Sequence, residues 1–172
     1  MEPIPLHILT QSSKEIAALS DKEFQNLVNV SVKNNYQPYN LLHGMSKENN
    51  IDINSNELQH LLLSILKSYN SFYNVTLPKI NDKKFGKIFM KWFEFFHMDD
   101  VIDISKLKIN EANGIVNQEF LVSDIKKIIE RSKKGLITTE TNKLLYGMYA
   151  LYYALLEVLN EEVEILKPNK IK

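Results

Sequence analysis

A mainly α-helical single domain of six to seven helices is the architecture this sequence predicts, and three observations predict it. Apolar residues recur at steps of three and four along most of the chain. Capping and stop residues fall at the ends of those runs. The length of 172 residues, with 44% hydrophobic and 24% charged side chains, suits one globular unit that needs no disulfide or metal to hold it.

Residues 1–11, with Pro3 and Pro5, read as an extended N-terminal arm that Leu6, Ile8 and Leu9 dock onto the body, with a short helix over Ser13–Leu19. Residues 12–166 form the helical domain, and 167–172 a flexible polar tail. Ser20-Asp21-Lys22-Glu23 is a capping box, in which hydroxyl and carboxylate satisfy each other's backbone donors. Phe24, Leu27, Val28 and Ser31 follow at helical spacing, and Asn34-Asn35 ends the run. Pro38 fits the first turn of a third helix carrying Leu41, Leu42 and Met45.

The fourth helix has one of the clearest stripes: Leu58, Leu61, Leu62, Ile65, Leu66, Tyr69, Phe72 and Tyr73, with Asn54 or Ser55 as cap and Pro78 as stop. In the fifth, Asn81 or Asp82 is the cap, and Ile80 and Phe85 are spaced as a hydrophobic staple. Its aromatic face (Phe85, Ile88, Phe89, Trp92, Phe93, Phe96) lies opposite Lys83, Lys84, Lys87 and Lys91.

Between these and the last helices the pattern changes. Alternation at Lys106–Ile109, the turn pair Asn113-Gly114 and the run from Ile115-Val116 predict a small β-hairpin near residues 106–122. Ser123-Asp124 then caps a helix with Ile125, Ile128 and Ile129 that ends at Lys133-Lys134-Gly135. The final helix starts at Thr138 or Thr139 and runs to about Val163. From Leu144 to Leu156 it is apolar nearly all round, so it sits at the centre of the core or is shared with another subunit.

Composition narrows the function classes. The absence of cysteine excludes disulfides, thiolate metal sites and a cysteine nucleophile. The start, Met1-Glu2-Pro3-Ile4-Pro5, lacks the basic and apolar segments of a secretory signal. The charge-free run of the last helix is 13 residues, against about 20 for a membrane span. A cytoplasmic protein with no membrane partner is the expectation. Acids and bases balance at 21 each, and Arg131 is the sole arginine, so the chain carries little of the bidentate equipment that reads phosphate or guanine. The lysine excess, with abundant Asn and Ile, fits an AT-rich coding sequence.

Several constellations were weighed for chemistry. Glu57-x-x-His60 and Glu94-x-x-His97 match half the ligand set of a di-metal helical bundle. Rotation at about 100° per residue turns Glu57, His60 and Glu94 away from their helices' apolar stripes, so they point to water rather than to a shared interior site. Asp52, Asn54 and Asn56 begin a calcium-loop pattern, but Glu57 replaces its glycine and Leu63 its final glutamate. The acidic clusters Asp99/Asp100/Asp103 and Glu161/Glu162/Glu164 read as solvated helix ends. His7 and His43 have no nucleophile elbow beside them, and the glycines are isolated rather than grouped in a phosphate loop. No catalytic residue, metal ligand or cofactor is assigned.

The run Ser20–Phe96 resembles the helical N-terminal region of COMM-domain proteins, in which a leucine-rich helix precedes a short helix bearing a tryptophan, here Trp92. The β-rich domain that defines that family has no counterpart after residue 97, and no function is carried over.

The remaining expectation is a non-enzymatic helical protein acting through protein–protein contact, as adaptor, inhibitor or assembly subunit. Its partner is another protein or a second copy in a homo-oligomer. Tyr146, Tyr149 and Tyr153, with the small-residue stripe Gly147, Ala150 and Ala154, are the candidate interaction surface. The competing reading is that they are all intramolecular core. The alternative function is a nucleic-acid-associated subunit whose Lys83, Lys84, Lys87 and Lys91 touch phosphates; a di-metal enzyme is the distant third.

Overall fold

The computed structural model describes residues 1–47, 55–77, 79–97, 109–131 and 139–166. Among the described residues there are eight helices and no strand: α1 (Leu6–Ala17), α2 (Asp21–Asn34), α3 (Tyr36–Lys47), α4 (Ser55–Tyr73), α5 (Asp82–His97), α6 (Ile109–Val116), α7 (Glu119–Arg131) and α8 (Thr139–Leu166). The chain is mainly α, as predicted.

Four expectations are corrected, the first being the count, since eight helices stand among the described residues where six to seven were expected. The arm is extended only through Pro5, whose φ of −64° and ψ of 147° place it just ahead of the first helix, and α1 begins at Leu6. Leu9, Ser12 and Ile16 are its buried face, a stripe hidden in the sequence by the polar run Thr10–Ser13. The hairpin is absent where it can be seen: Ile109–Val116 is helix, with Asn113-Gly114 inside it. The reversal occurs instead at Asn117, whose positive φ of 46° is a left-handed stop that asparagine tolerates. Consequently α7 starts at Glu119, and Ser123-Asp124 lies within it rather than at its cap. Residues 106–108, the proposed stop at Lys133–Gly135 and the tail 167–172 lie outside the described residues.

The capping box forms as expected. Ser20 Oγ accepts from the Glu23 amide at 3.4 Å, and Glu23 Oε2 accepts from the Ser20 amide at 2.9 Å. The Ser20 hydroxyl, which donates to Glu23 Oε2, and then the Ser20 amide hold the Glu23 carboxyl below the usual carboxylate range. At α5, Asn81 Oδ1 accepts from the Lys84 amide at 2.9 Å, and the staple residues Ile80 and Phe85 are both buried. Asp82 reaches across to accept from the Gln37 amide at 3.3 Å, tying the start of α5 to the start of α3.

Helix α8 is the axis of the molecule. Every residue from Leu144 to Leu156 is buried. Its most extensive partner is α5, and α3, α6, α7 and α4 pack around the rest. The α4 stripe is inside too, and α4 also buries Ser64 and Ser68, whose hydroxyls donate to the carbonyls one turn back at 2.8 and 2.7 Å. That back-bonding lets serine enter an apolar interior without an orphaned hydroxyl. Helix α1 packs mainly on α4, whereas α2 rests on α3 and α4 and buries only Val28 and Ser31.

Candidate interaction surface: the groove beneath α2

The tyrosine ridge of α8 is interior to a single chain. Tyr146, Tyr149, Tyr153, Ala150 and Ala154 are each at most 5% exposed, and Gly147 is buried. Tyr153 packs against Trp92 and Phe96 of α5 at ring-centroid distances of 5.1 and 5.2 Å, and Tyr149 against Phe96 at 5.8 Å. The small-residue stripe has a packing reason: a Cβ added at Gly147 would stand 2.8 Å from Met45 Sδ of α3. Of the two readings weighed for this helix, intramolecular core accounts for every one of these side chains.

The lysine face of α5 is partly neutralised by α8. Lys84 Nζ lies 2.9 Å from Glu161 and 3.0 Å from Glu162. Burial alone would lower the Lys84 ammonium, but hydrogen bonds to the two glutamates outweigh it and raise its pKa. Lys91 Nζ lies 2.8 Å from Glu157, which also accepts from Trp92 Nε1 at 2.7 Å. Lys83 and Lys87 remain exposed. The shallow hollow between Lys83, Lys84, Lys87 and Asn81 is therefore walled on its far side by two carboxylates. The two carboxylates offset part of the attraction its three lysines would exert on a phosphate.

The α4 Glu-x-x-His pair is not where helical rotation puts it. Glu57 and His60 are both half-buried, and His60 Nε2 is shielded from solvent with no hydrogen-bond partner among the described residues. A single-helix rotation assumes one packed side, whereas α4 is packed from several. Glu94 is exposed, as rotation predicts, and the His97 side chain lies outside the described residues. Among the described residues no three of His, Asp and Glu converge as metal ligands would. Asp52, Asn54, Asp99, Asp100 and Asp103 lie outside the described residues. Of the second acidic cluster, Glu161 and Glu162 hold Lys84 and Glu164 is exposed.

The feature that sequence reasoning missed lies under α2. A groove of about 330 Å³ opens between α1, α2, α4 and the segment after α4. Ile16, Leu27, Leu63 and Leu66 give it an apolar floor, and Val30, 55% exposed, forms its lip. Asn34, Asn35, Asn70, Thr76 and Lys67 rim it. Local hydrogen bonds fix that rim. Asn35 Nδ2 donates to the Ser31 carbonyl at 3.1 Å, and Asn70 Oδ1 accepts from the Leu77 amide at 3.1 Å. Lys67 is held 2.7 Å from Glu15, whose carboxyl is lowered by that hydrogen bond. The signal in the sequence was the surplus on α2: Val30 and Val32 lie off the stripe of Phe24, Leu27, Val28 and Ser31.

A second feature is a buried polar network where α4, α8 and the α6–α7 joint meet. Gln118, 1% exposed, donates from Nε2 to Tyr73 Oη at 2.9 Å and to Asn160 Oδ1 at 3.3 Å. Asn160 also accepts from Tyr69 Oη at 2.7 Å and donates to the Val116 carbonyl at 2.8 Å. Burial raises the phenols of Tyr69 and Tyr73, with Gln118 pulling Tyr73 the other way.

No helix among the described residues is long and apolar enough to cross a membrane. Comparison with protein-family models, curated proteins and solved structures returned no match. The likeness to COMM-domain proteins is without support from those comparisons, and the functional reading stands on the chain's own geometry.

Proposed function

We propose that the protein is a non-enzymatic binding module that docks another protein through the groove beneath α2. The observation that carries this is the combination of an apolar floor, an exposed valine lip and a fixed polar rim on one face. Docking surfaces have that anatomy: an apolar centre that excludes water, ringed by polar groups that fix register. Helix α2 suits the role because it is the least embedded long helix, with Val28 and Ser31 its only buried residues. It can therefore present side chains outward without loss of core. An aliphatic or aromatic anchor from a partner helix or loop fits the hollow, with the asparagines bonding the partner backbone.

The test is a photo-crosslinking residue placed at position 30, with a second at position 87 on the α5 lysine face, each in the cell of origin. A discrete protein adduct at 30, lost when Leu66 is replaced by Asp in a chain that still folds, supports the reading. An adduct confined to position 87, or retardation of nucleic acid at low salt that Lys83→Glu and Lys87→Glu abolish, moves the function to the lysine face. Solution mass by light scattering separates a foreign partner from self-association.

A further inference from the structure

Residues 1–5 are gripped mainly through their backbone. Tyr73 Oη donates to the Glu2 carbonyl at 2.5 Å, Asn117 Nδ2 donates to the Met1 carbonyl at 2.8 Å, and Gln118 Oε1 accepts from the Ile4 amide at 2.9 Å. Three side chains thus bond only to backbone. A single side chain of the segment, Ile4 at 1% exposed, is inserted into the core. Pro5 has polyproline II angles, φ −64° and ψ 147°. Pro3 and Pro5 bring no amide hydrogen that would be left unpaired on docking. Backbone gripping plus one aliphatic anchor, on a stiff proline-flanked segment, is how proteins bind extended peptides.

Two of the three gripping side chains, Tyr73 and Gln118, are also oriented by contacts outside the segment. Tyr73 is set by its ring contacts with Tyr69 and Phe72, at 5.5 and 4.9 Å. The Gln118 amide is oriented by Tyr73 and Asn160, and Asn160 by Tyr69 and Val116. Asn117 is fixed by its left-handed backbone at the α6–α7 joint. Withdrawing residues 1–4 leaves all of these in place. Helix α1 also stays, because the Pro5 carbonyl accepts from the Ile8 and Leu9 amides, and Leu9 and Ile16 anchor the helix on their own.

We propose that this slot is a recognition site for an extended peptide carrying an aliphatic residue directly after a proline, and that residues 1–4 occupy it in cis as an exchangeable strap. The site is separate from the groove beneath α2 and does not rest on it. A peptide supplied in trans competes with the strap, and anything that removes the strap opens the slot. A slot occupied in cis shows a weaker apparent affinity in proportion to the fraction of open chains.

The experiment uses the full chain and a fluorescently labelled peptide of residues 1–4, read by anisotropy. Ile4→Asp evicts the strap and should bind the peptide about tenfold or more tighter than the unaltered chain. Adding Gln118→Ala to Ile4→Asp should remove that gain, and a peptide with Asp in place of Ile should not bind. Equal binding by the unaltered and Ile4→Asp chains, or an Ile4→Asp/Gln118→Ala chain that binds as well as Ile4→Asp, overturns the proposal. Hydrogen exchange on the unaltered chain gives a reading that no variant's folding can confound. The Ile4 amide should exchange through a local opening, well ahead of the amides of α8. Protection of Ile4 equal to that of the α8 core means the strap leaves only on unfolding, and the exchange model fails.

Discussion

Glu157 is the residue on which the α5–α8 seam turns, and its removal separates two contributions that the geometry superimposes. Its carboxylate, with the side chain 18% exposed, accepts from Trp92 Nε1 at 2.7 Å and from Lys91 Nζ at 2.8 and 3.0 Å. Trp92 is 1% exposed, whereas the Lys91 side chain is 56% exposed. The indole therefore has little water to turn to when its acceptor is lost, and the ammonium has plenty. A hydrogen bond to a charged group contributes about 1.5–3 kcal/mol, and an orphaned buried donor costs about 1–3 kcal/mol. An exposed ion pair contributes about 0–1 kcal/mol. The Lys91 ammonium also lies 5.4 Å from the Trp92 ring centroid, worth about 0.5–1 kcal/mol at an exposed site.

Glu157→Ala should accordingly lower stability by about 2–3 kcal/mol, Lys91→Ala by about 1 kcal/mol, and Glu157→Gln, which keeps an acceptor, by about 1 kcal/mol. The decisive number is the coupling. In a Trp92→Phe background there is no indole donor to orphan, so Glu157→Ala should cost about 1.5 kcal/mol less than in the unaltered chain. Urea unfolding followed by far-ultraviolet circular dichroism measures all six chains, the unaltered one included, without relying on tryptophan emission. If Lys91→Ala costs as much as Glu157→Ala, or the penalty is the same with and without the indole, the ranking of indole over ammonium is wrong.

Other perturbations follow from the same geometry. Gly86 lies inside α5 with nothing within 4 Å of an added Cβ, so Gly86→Ala should raise stability by about 0.5–1 kcal/mol in the same urea assay. Ser20→Ala removes the α2 cap and should cost about 1 kcal/mol, seen as faster amide exchange in the first turn of α2. The Glu15 and Glu23 carboxyls are lowered by their hydrogen bonds. Their small contributions are therefore present above the ordinary carboxylate range and fade as pH falls through the folded values, which thermal melts at descending pH will show. Tyr69, Tyr152, Tyr153 and Tyr39 have phenols raised chiefly by burial. Above about pH 10 the unfolded chain loses these protons while the folded chain keeps them, so stability falls by about 1.4 kcal/mol per pH unit per tyrosine. Tyrosinate absorbance should then rise together with loss of helix; a rise that precedes unfolding contradicts their burial.

Helix positions were largely legible in the sequence because capping and periodicity act locally. Ser20-Glu23, Asn81 with Ile80 and Phe85, and the α4 and α8 stripes all behave as their spacing dictates. The failures share a cause. Asn113-Gly114 has strong turn chemistry, yet the neighbours Ala112 and Val116 bury one face of a helical turn, and that burial decides. A local preference of about 1 kcal/mol yields to two apolar side chains entering a core. Gln118 carried no signal at all: its importance comes from partners 45, 42 and 114 residues away. The α2 groove left only the trace of Val30 and Val32, since its floor combines α1, α2 and α4, and no window of sequence contains it.

The interior is not purely apolar at one end of α8, and the polar groups there explain how so smooth a helix finds its place. Between Leu144 and Leu156 nothing polar apart from tyrosine hydroxyls marks a register, and rotation or sliding of such a cylinder among apolar neighbours costs little discrimination. Tyr152 Oη supplies one peg by donating to the Leu58 carbonyl at 2.8 Å. Glu157 and Asn160 supply two more, one clamping α5 through Trp92, the other joining α4 and the α6–α7 joint through Tyr69 and Val116. Residues 157 and 160 are three apart, hence neighbours on one face, yet one bonds to α5 and the other to α4 and the α6–α7 joint. A slip of one residue would withdraw both from their donors at once. Buried polar pairs of this kind penalise wrong registers more than they stabilise the right one. Asn160→Leu should therefore leave a compact helical chain with broadened tertiary signals, rather than an unfolded one. Sharp aromatic side-chain resonances in that variant would show that apolar packing alone sets the register of α8.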